Sequence, residues 1–173
     1  KYGYLAPILN MGVGLGVRYV DTDPFLDVSK KIADLVEAIH ATCEREGVPV
    51  PTIIMEPGRS IVADAGMTVY TVSSVKRIPG YKNYVSVDGG MTDNPRYTLY
   101  QAEYTVLLAN RIREKADFCC TIAGCCCESG DLIQEDVSLP EPKRGDLIAV
   151  LTTGAYNYSM ASNYNRVPRP PVI

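Results

Sequence analysis

The sequence predicts an α/β piece over residues 1–64 followed by an all-β sandwich or barrel domain over residues 65–173. Three observations carry this expectation. Val28, Ile32, Leu35, Val36, Ile39 and Cys43 recur at helical spacing. Short apolar runs flank that helix, Ala6 to Leu9 and Thr52 to Met55, and each ends in a Gly-rich turn, which is the order of a parallel βα unit. From about Met67 onward the helical period fades, so a boundary falls near Ala63 to Gly66.

Taken in order, the elements follow from local chemistry. Asp23-Pro24 can cap and open the helix, because an Asp side chain accepts from free N-terminal amides and Pro has no N–H to lose there; Gly47 can close it. His40 sits beside the apolar stripe and reads as a helix-surface residue. Further on, MTVYTVSSVKRI, YVSV, EYTVLLA, FCCTIA and DLIAVLT are rich in β-branched and aromatic residues and are separated by Pro-Gly, Gly-Gly and Arg-Gly-Asp turns. That composition favours an antiparallel sheet or barrel.

The totals narrow the function classes. The chain has 173 residues, 46% of them hydrophobic, enough to bury a sizeable core. Its formal net charge is −3, with 17 basic and 20 acidic residues evenly mixed, so no field favours nucleic acid or an anionic membrane. No apolar run approaches the ~20 residues of a membrane span, and the start KYGYLAPILNMG lacks the regions of a signal peptide, which makes the cytoplasm the expected compartment. Five of the six cysteines fall between Cys119 and Cys127; neighbours that close are poor disulfide partners, and CC-x4-CCC fits no zinc or iron–sulfur pattern, so reduced thiols and no metal are expected.

Five stretches gather chemistry. MGVGLG follows the first predicted strand, and its glycines allow either a tight turn or a close approach of backbone N–H groups to a phosphate. EPGRS sets an acid, a rigid bend and an arginine at the end of the second strand, where α/β folds collect ligand-binding groups, though a surface turn with a local ion pair also accounts for it. DGGMTDNPR reads as a ligand loop or a solvated connection, with Tyr97 and Tyr100 able to wall a carboxylate held by Arg96. GCCCESGD offers a thiol and a carboxylate side by side, or a Cys-rich strand ending in a turn. TTGAYNYSMASNYN sets many hydroxyls after a core strand, as a polar pocket wall would.

Together, EPGRS, VDGGMTD-x-x-R-x-x-LY, CESGD, LP-x-x-x-x-GD and GAY-x-x-SM-x-SNYN, in this order and at these distances, resemble the C-terminal part of the diaminopimelate decarboxylases, pyridoxal 5'-phosphate enzymes of the alanine-racemase-like type. The resemblance covers nearly the whole chain from Asn10 to Pro170. It implies that residues 1–64 are the last units of a TIM-like (β/α)8 barrel and residues 65–173 its C-terminal β-domain. The lysine that carries the cofactor, and the histidine that stacks on it, belong to earlier barrel strands without counterpart here, so the resemblance implies a fragment inactive by itself. Gly12, Gly14 and the turn Glu56, Pro57, Gly58 and Arg59 would hold the cofactor, with Glu56 on the pyridine nitrogen and Tyr156 touching cofactor and substrate. Arg59, Arg96 and Tyr100 would bind the substrate's far end.

Cys127 would donate the proton that replaces CO2 and Glu128 would recognise the distal amino group, both acting across a homodimer interface. Its two predecessors, Cys125 and Cys126, are expected to be packing residues, although either could compete with Cys127 as a thiolate or oxidise with it. Members usually carry three consecutive glycines where this chain has Gly12-Val13-Gly14, which requires the Val side chain to turn away from the phosphate or the loop to differ. The implied reaction converts meso-2,6-diaminoheptanedioate to L-lysine and CO2. The alternatives are a sibling acting on ornithine, arginine or carboxynorspermidine, and a non-catalytic assembly domain.

Overall fold

The computed structural model describes residues 3–12 and 14–173. The expectation about Val13 lies outside the described residues.

Strand β1 (Ile8–Asn10) and strand β2 (Thr52–Ile54) pair in parallel, with Asn10 opposite Ile54, and helix α1 (Val28–Glu46) connects them. This is the expected strand, helix, strand order. The cap differs from the expectation: Asp27 precedes α1 and its side chain accepts from the Lys30 amide at 3.0 Å. Asp23 is committed elsewhere, because its carboxylate accepts from the Tyr19 and Val20 amides at 2.7 and 3.1 Å and closes a turn of its own. Gly47 ends α1 in the left-handed conformation, its N–H bonded back to Cys43 and Glu44. His40 lies exposed on this helix. Along α1 only Cys43 is buried, and Val28, Ile32 and Val36 each remain 37% exposed. Two strands and one helix with an open apolar stripe do not close a barrel; they form a single βαβ layer.

A four-residue helix α2 (Arg59–Val62) leads into the second part. There a six-stranded sheet is built from β3 (Met67–Arg77), β4 (Asn83–Val87), β5 (Val106–Leu108), β6 (Phe118–Ala123), β7 (Leu132–Leu139) and β8 (Leu147–Leu151), in the order β5-β8-β3-β4-β6-β7. Its two edges approach each other, since the Tyr104 amide just before β5 donates to the buried Gln134 side chain on β7 at 3.0 Å. The sheet is therefore nearly closed and barrel-like. Val72, Val85, Ile122, Ile133, Ile148 and Val150 fill its interior at 1% exposure or less, each contributing roughly 1.5–3 kcal/mol by leaving water.

Two features depart from the antiparallel reading. Strands β4 and β6 run parallel, because the chain between them makes a long crossover through helix α3 (Arg96–Tyr100) and β5. Strand β7 gave no apolar signal, since LIQEDVSL places three polar residues mid-strand; Gln134 is buried there and bonded to backbone.

Two long loops, residues 88–95 and 124–131, are fastened together by one carboxylate. Asp131 is 3% exposed and accepts from the Met91 and Cys126 amides, both at 2.6 Å. Backbone bonds from Gly124 to Asp131 (2.8 Å) and from Cys125 to Gly89 (2.9 Å) complete the joint. A Cβ on Gly90 or Gly124 would collide with the Asp131 carboxylate, which is the physical reason for glycine at both places. We therefore expect Gly124→Ala to lower unfolding free energy by about 1–3 kcal/mol in urea titration. Gly130→Ala, where a Cβ meets only Thr98 Cγ2 at 3.5 Å, should stay within about 0.5 kcal/mol of wild type.

Candidate active site

The loop fastened by Asp131 delivers α3, and α3 delivers Arg96 and Tyr100. Arg96 is 6% exposed. Its Nη1 donates to the Tyr104 hydroxyl at 2.9 Å, and that hydroxyl stands 3.4 Å from Asn157 Oδ1. Arg59, from the EPGRS bend, comes to the same place from the other part of the chain. A Tyr19 ring lies beside both guanidiniums, with Arg96 Cζ at 4.9 Å and Arg59 Cζ at 5.9 Å from its centroid, and Tyr104 meets Tyr19 edge-on at 5.2 Å and 84°. On its other side Arg59 faces the Tyr156 ring at 5.3 Å.

The result is a cleft of about 290 Å³ lined by Arg59, Arg96, Tyr100, Tyr156 and Met160. Among the described residues neither arginine has a carboxylate within ion-pair distance, and Arg59 Nε is buried with no hydrogen-bond partner. Two permanent cations held on aromatic faces, without counter-ions among the described residues, have the chemistry to receive an anionic group.

The remaining expected residues do not line this cleft, and Gly14 lines a separate apolar cleft with Ile32, Leu35 and Met55. Gly58 approaches closely, since a Cβ there would stand 3.1 Å from the Tyr156 hydroxyl. Glu56 is exposed at the end of β2 and its Oε1 accepts from Asn10 Nδ2 at 2.6 Å; its own N–H donates to the Gly12 carbonyl. Gly12 takes a positive φ of 63°, with Asn10 Oδ1 accepting from its N–H, while the Cβ position of Gly14 is open. The parallel strand ends thus bring both Gly turns together. That setting fits a phosphate-bearing pyridine ring: Glu56 supplies a carboxylate and Arg59 an unsatisfied donor.

Cys127 and Glu128 sit in the other fastened loop and are exposed. The Cys127 amide donates to Asn165 Oδ1 at 2.8 Å, and Glu128 Oε1 accepts weakly from Gly130 at 3.4 Å. Neither belongs to this chain's own cleft lining. Cys125 and Cys126 are not core residues as expected: Cys125 is exposed with its thiol 3.8 Å from the Asp88 carbonyl, and Cys126 is half-buried beside Asp131. Burial first, then the Asp131 charge, pushes the Cys126 thiol up to about 11, and the same two causes raise Cys125. Both therefore stay protonated at neutral pH.

Sequence reasoning missed Tyr19, Tyr104, Asn157 and Met160. Asn157 and Met160 lie within the hydroxyl-rich stretch already singled out. Tyr19 and Tyr104 carry no local signal, because their role is visible only once the two parts of the chain meet.

The chain belongs to the pyridoxal-dependent decarboxylases: residues 19–154 match the family described as pyridoxal-dependent decarboxylase, C-terminal sheet domain. It is similar to diaminopimelate decarboxylase of Bacillus subtilis (strain 168), 52% identical over 173 residues, covering 100% of this chain and 39% of that protein. A crystal structure of diaminopimelate decarboxylase from M. jannaschii in co-complex with L-lysine aligns with a TM-score of 0.81 at 34% identity, covering 94% of this chain and 36% of that one. Lysine/ornithine decarboxylase complexed with cadaverine from Vibrio vulnificus aligns at 0.77 with 26% identity, over 94% of this chain and 41% of that one. The chain spans less than half the length of these relatives.

Helix α3 is held to β7 by the Tyr97 hydroxyl, which donates to Glu135 at 2.8 Å, and to the loop before it by Thr98, whose hydroxyl donates to the Gly130 carbonyl at 2.7 Å. The hydrogen bond from Lys82, then that from Tyr97, holds the Glu135 carboxyl below its ordinary 4.5, while burial first and Glu135 second push Tyr97 up to about 12. A carboxyl lowered by folding contributes stability that is complete above its unfolded value and drains away as pH falls through the folded one. Thermal melts should therefore show Glu135→Gln less stable than wild type at neutral pH, with the two converging as pH drops from 4.5. A gap that persists undiminished in acid would contradict this.

Proposed function

We propose that this chain is the C-terminal part of a pyridoxal-phosphate-dependent decarboxylase that converts meso-2,6-diaminoheptanedioate to L-lysine and CO2, acting as a homodimer in the cytoplasm. Residues 1–64 are read as the closing units of its barrel and residues 65–173 as its β-domain, the lysine that carries the cofactor lying elsewhere in the enzyme. The observation that carries the reading is the pair Arg59 and Arg96, two cations on one cleft without carboxylate partners among the described residues. A substrate with a second carboxylate supplies the missing charge, whereas ornithine has only the carboxylate that is lost. Six unpaired thiols fit a reducing compartment.

In this reading Gly12, Gly14 and the Glu56–Arg59 turn would hold the cofactor, with Glu56 as the carboxylate partner of its ring nitrogen. When bound, pyridoxal phosphate supplies an electron sink for the negative charge left at the α-carbon as CO2 departs. Tyr156, beside Arg59 in the cleft, would touch cofactor and substrate. Arg96, Arg59 and Tyr100 orient the substrate through its second carboxylate, so that binding energy from the far end fixes the reacting bond. Cys127 Sγ carries the proton destined for that carbon, and Glu128 takes the distal ammonium. Their exposure outside the local cleft supports service to the partner subunit's site. Exposure also lets Cys127 regain its proton from water.

Competition kinetics on the full-length enzyme test the substrate. Turnover of meso-2,6-diaminoheptanedioate with weak or no turnover of ornithine is expected, and the reverse order would refute the reading. Arg96→Lys, which keeps the charge but loses the bidentate fork, should raise KM for that substrate about tenfold or more with a smaller change in kcat. For the proton donor, Cys127→Ala should lower kcat by roughly 10²–10³. Cys125→Ser should leave kcat near wild type, since that thiol is held protonated away from the cleft.

A further inference from the structure

Behind the two arginines stands a residue that does not line the cleft. We infer that Tyr19 is a positioning residue that fixes the spacing of Arg59 and Arg96, and through them the preference for ligands bearing a second carboxylate. This inference deepens the function proposed above and rests on it.

Several independent bonds hold Tyr19 in place. Its amide donates to Asp23 at 2.7 Å, and its carbonyl accepts from both the Thr105 amide (3.1 Å) and the Thr105 hydroxyl (2.7 Å). The same residue is thus stitched to the βαβ layer on one side and to the entry of β5 on the other. Arg59 comes from the first part and Arg96 from the second, so their separation depends on a strut between the parts. The Tyr19 ring is that strut: it contacts both guanidiniums face-on, and Tyr104 braces it edge-on while accepting from Arg96. The Tyr19 hydroxyl is buried and has no hydrogen-bond partner among the described residues. The ring, not the hydroxyl, therefore carries the effect.

The test uses full-length enzyme and two inhibitors of matched length. L-lysine retains one carboxylate and 1,5-diaminopentane (cadaverine) has none. In Tyr19→Leu, KM for meso-2,6-diaminoheptanedioate and Ki for L-lysine should rise together about tenfold, Ki for cadaverine should stay within about twofold, and kcat should change least. Tyr19→Phe should behave as wild type throughout. Equal shifts for lysine and cadaverine, or none for either, overturn the inference, because a merely structural role moves both alike. Should Tyr19→Leu fail to fold, Tyr19→Met, an unbranched side chain that fills space without offering a ring face, decides by the same ratio: the lysine Ki should rise about fivefold and that of cadaverine should not. If wild type itself fails to turn over the dicarboxylic substrate, the underlying function falls. If wild type does so and the variants do not separate the two inhibitors, only the role of Tyr19 falls.

Discussion

One buried carboxylate organises the sheet-bearing part of this chain. Asp131 accepts amides from two loops at once, and glycines at positions 90 and 124 give it room. Charge buried at 3% exposure is costly unless every lone pair is used, and backbone N–H groups are the donors that cannot swing away. The loops are therefore rigid at the point where they are joined. Asp93 repeats the device nearby, accepting from the Gly90 amide at 3.0 Å and from the Tyr70 hydroxyl, with burial raising its carboxyl above the ordinary range. Arg96, Cys127 and Glu128 are presented by loops that acidic residues have fixed to the sheet.

The arginine cleft uses the opposite solution to the same cost. Instead of meeting carboxylates, Arg59 and Arg96 lie against the faces of Tyr19, Tyr104 and Tyr156, where the ring quadrupole partly replaces lost hydration. Guanidiniums tolerate this better than ammonium groups because they are weakly hydrated and planar. Their charge remains available to a ligand. Asp131 is satisfied by its own chain, and Arg96 by the Tyr104 hydroxyl, whereas Arg59 Nε is buried with no hydrogen-bond partner among the described residues.

Legibility in the sequence followed the range of the forces involved. Helix α1, strands β1 and β2 and most of the sheet were readable, because helical and alternating periods are local. The cap was misplaced because Asp23 and Asp27 are both sound caps, and only the tyrosine turn decides between them. Strand β7 was hidden because Gln134 is buried for a long-range bond to Tyr104, and the parallel pairing of β4 with β6 was hidden because crossovers leave no composition signal. Arg59, Arg96, Tyr100 and Tyr156 were found through motifs of a known family, and they do share one cleft. Their supporting tyrosines were not, since stacking between distant segments leaves no short pattern.

Helix α1 bears a further consequence. Its open stripe of Val28, Ile32 and Val36, with Phe25 at 82% exposure beside its start, is wetted hydrocarbon on an otherwise mixed and nearly neutral surface. Water gains entropy whenever such a seam is covered. Molecules of this polypeptide by themselves would thus adhere through that seam more readily as concentration and ionic strength climb.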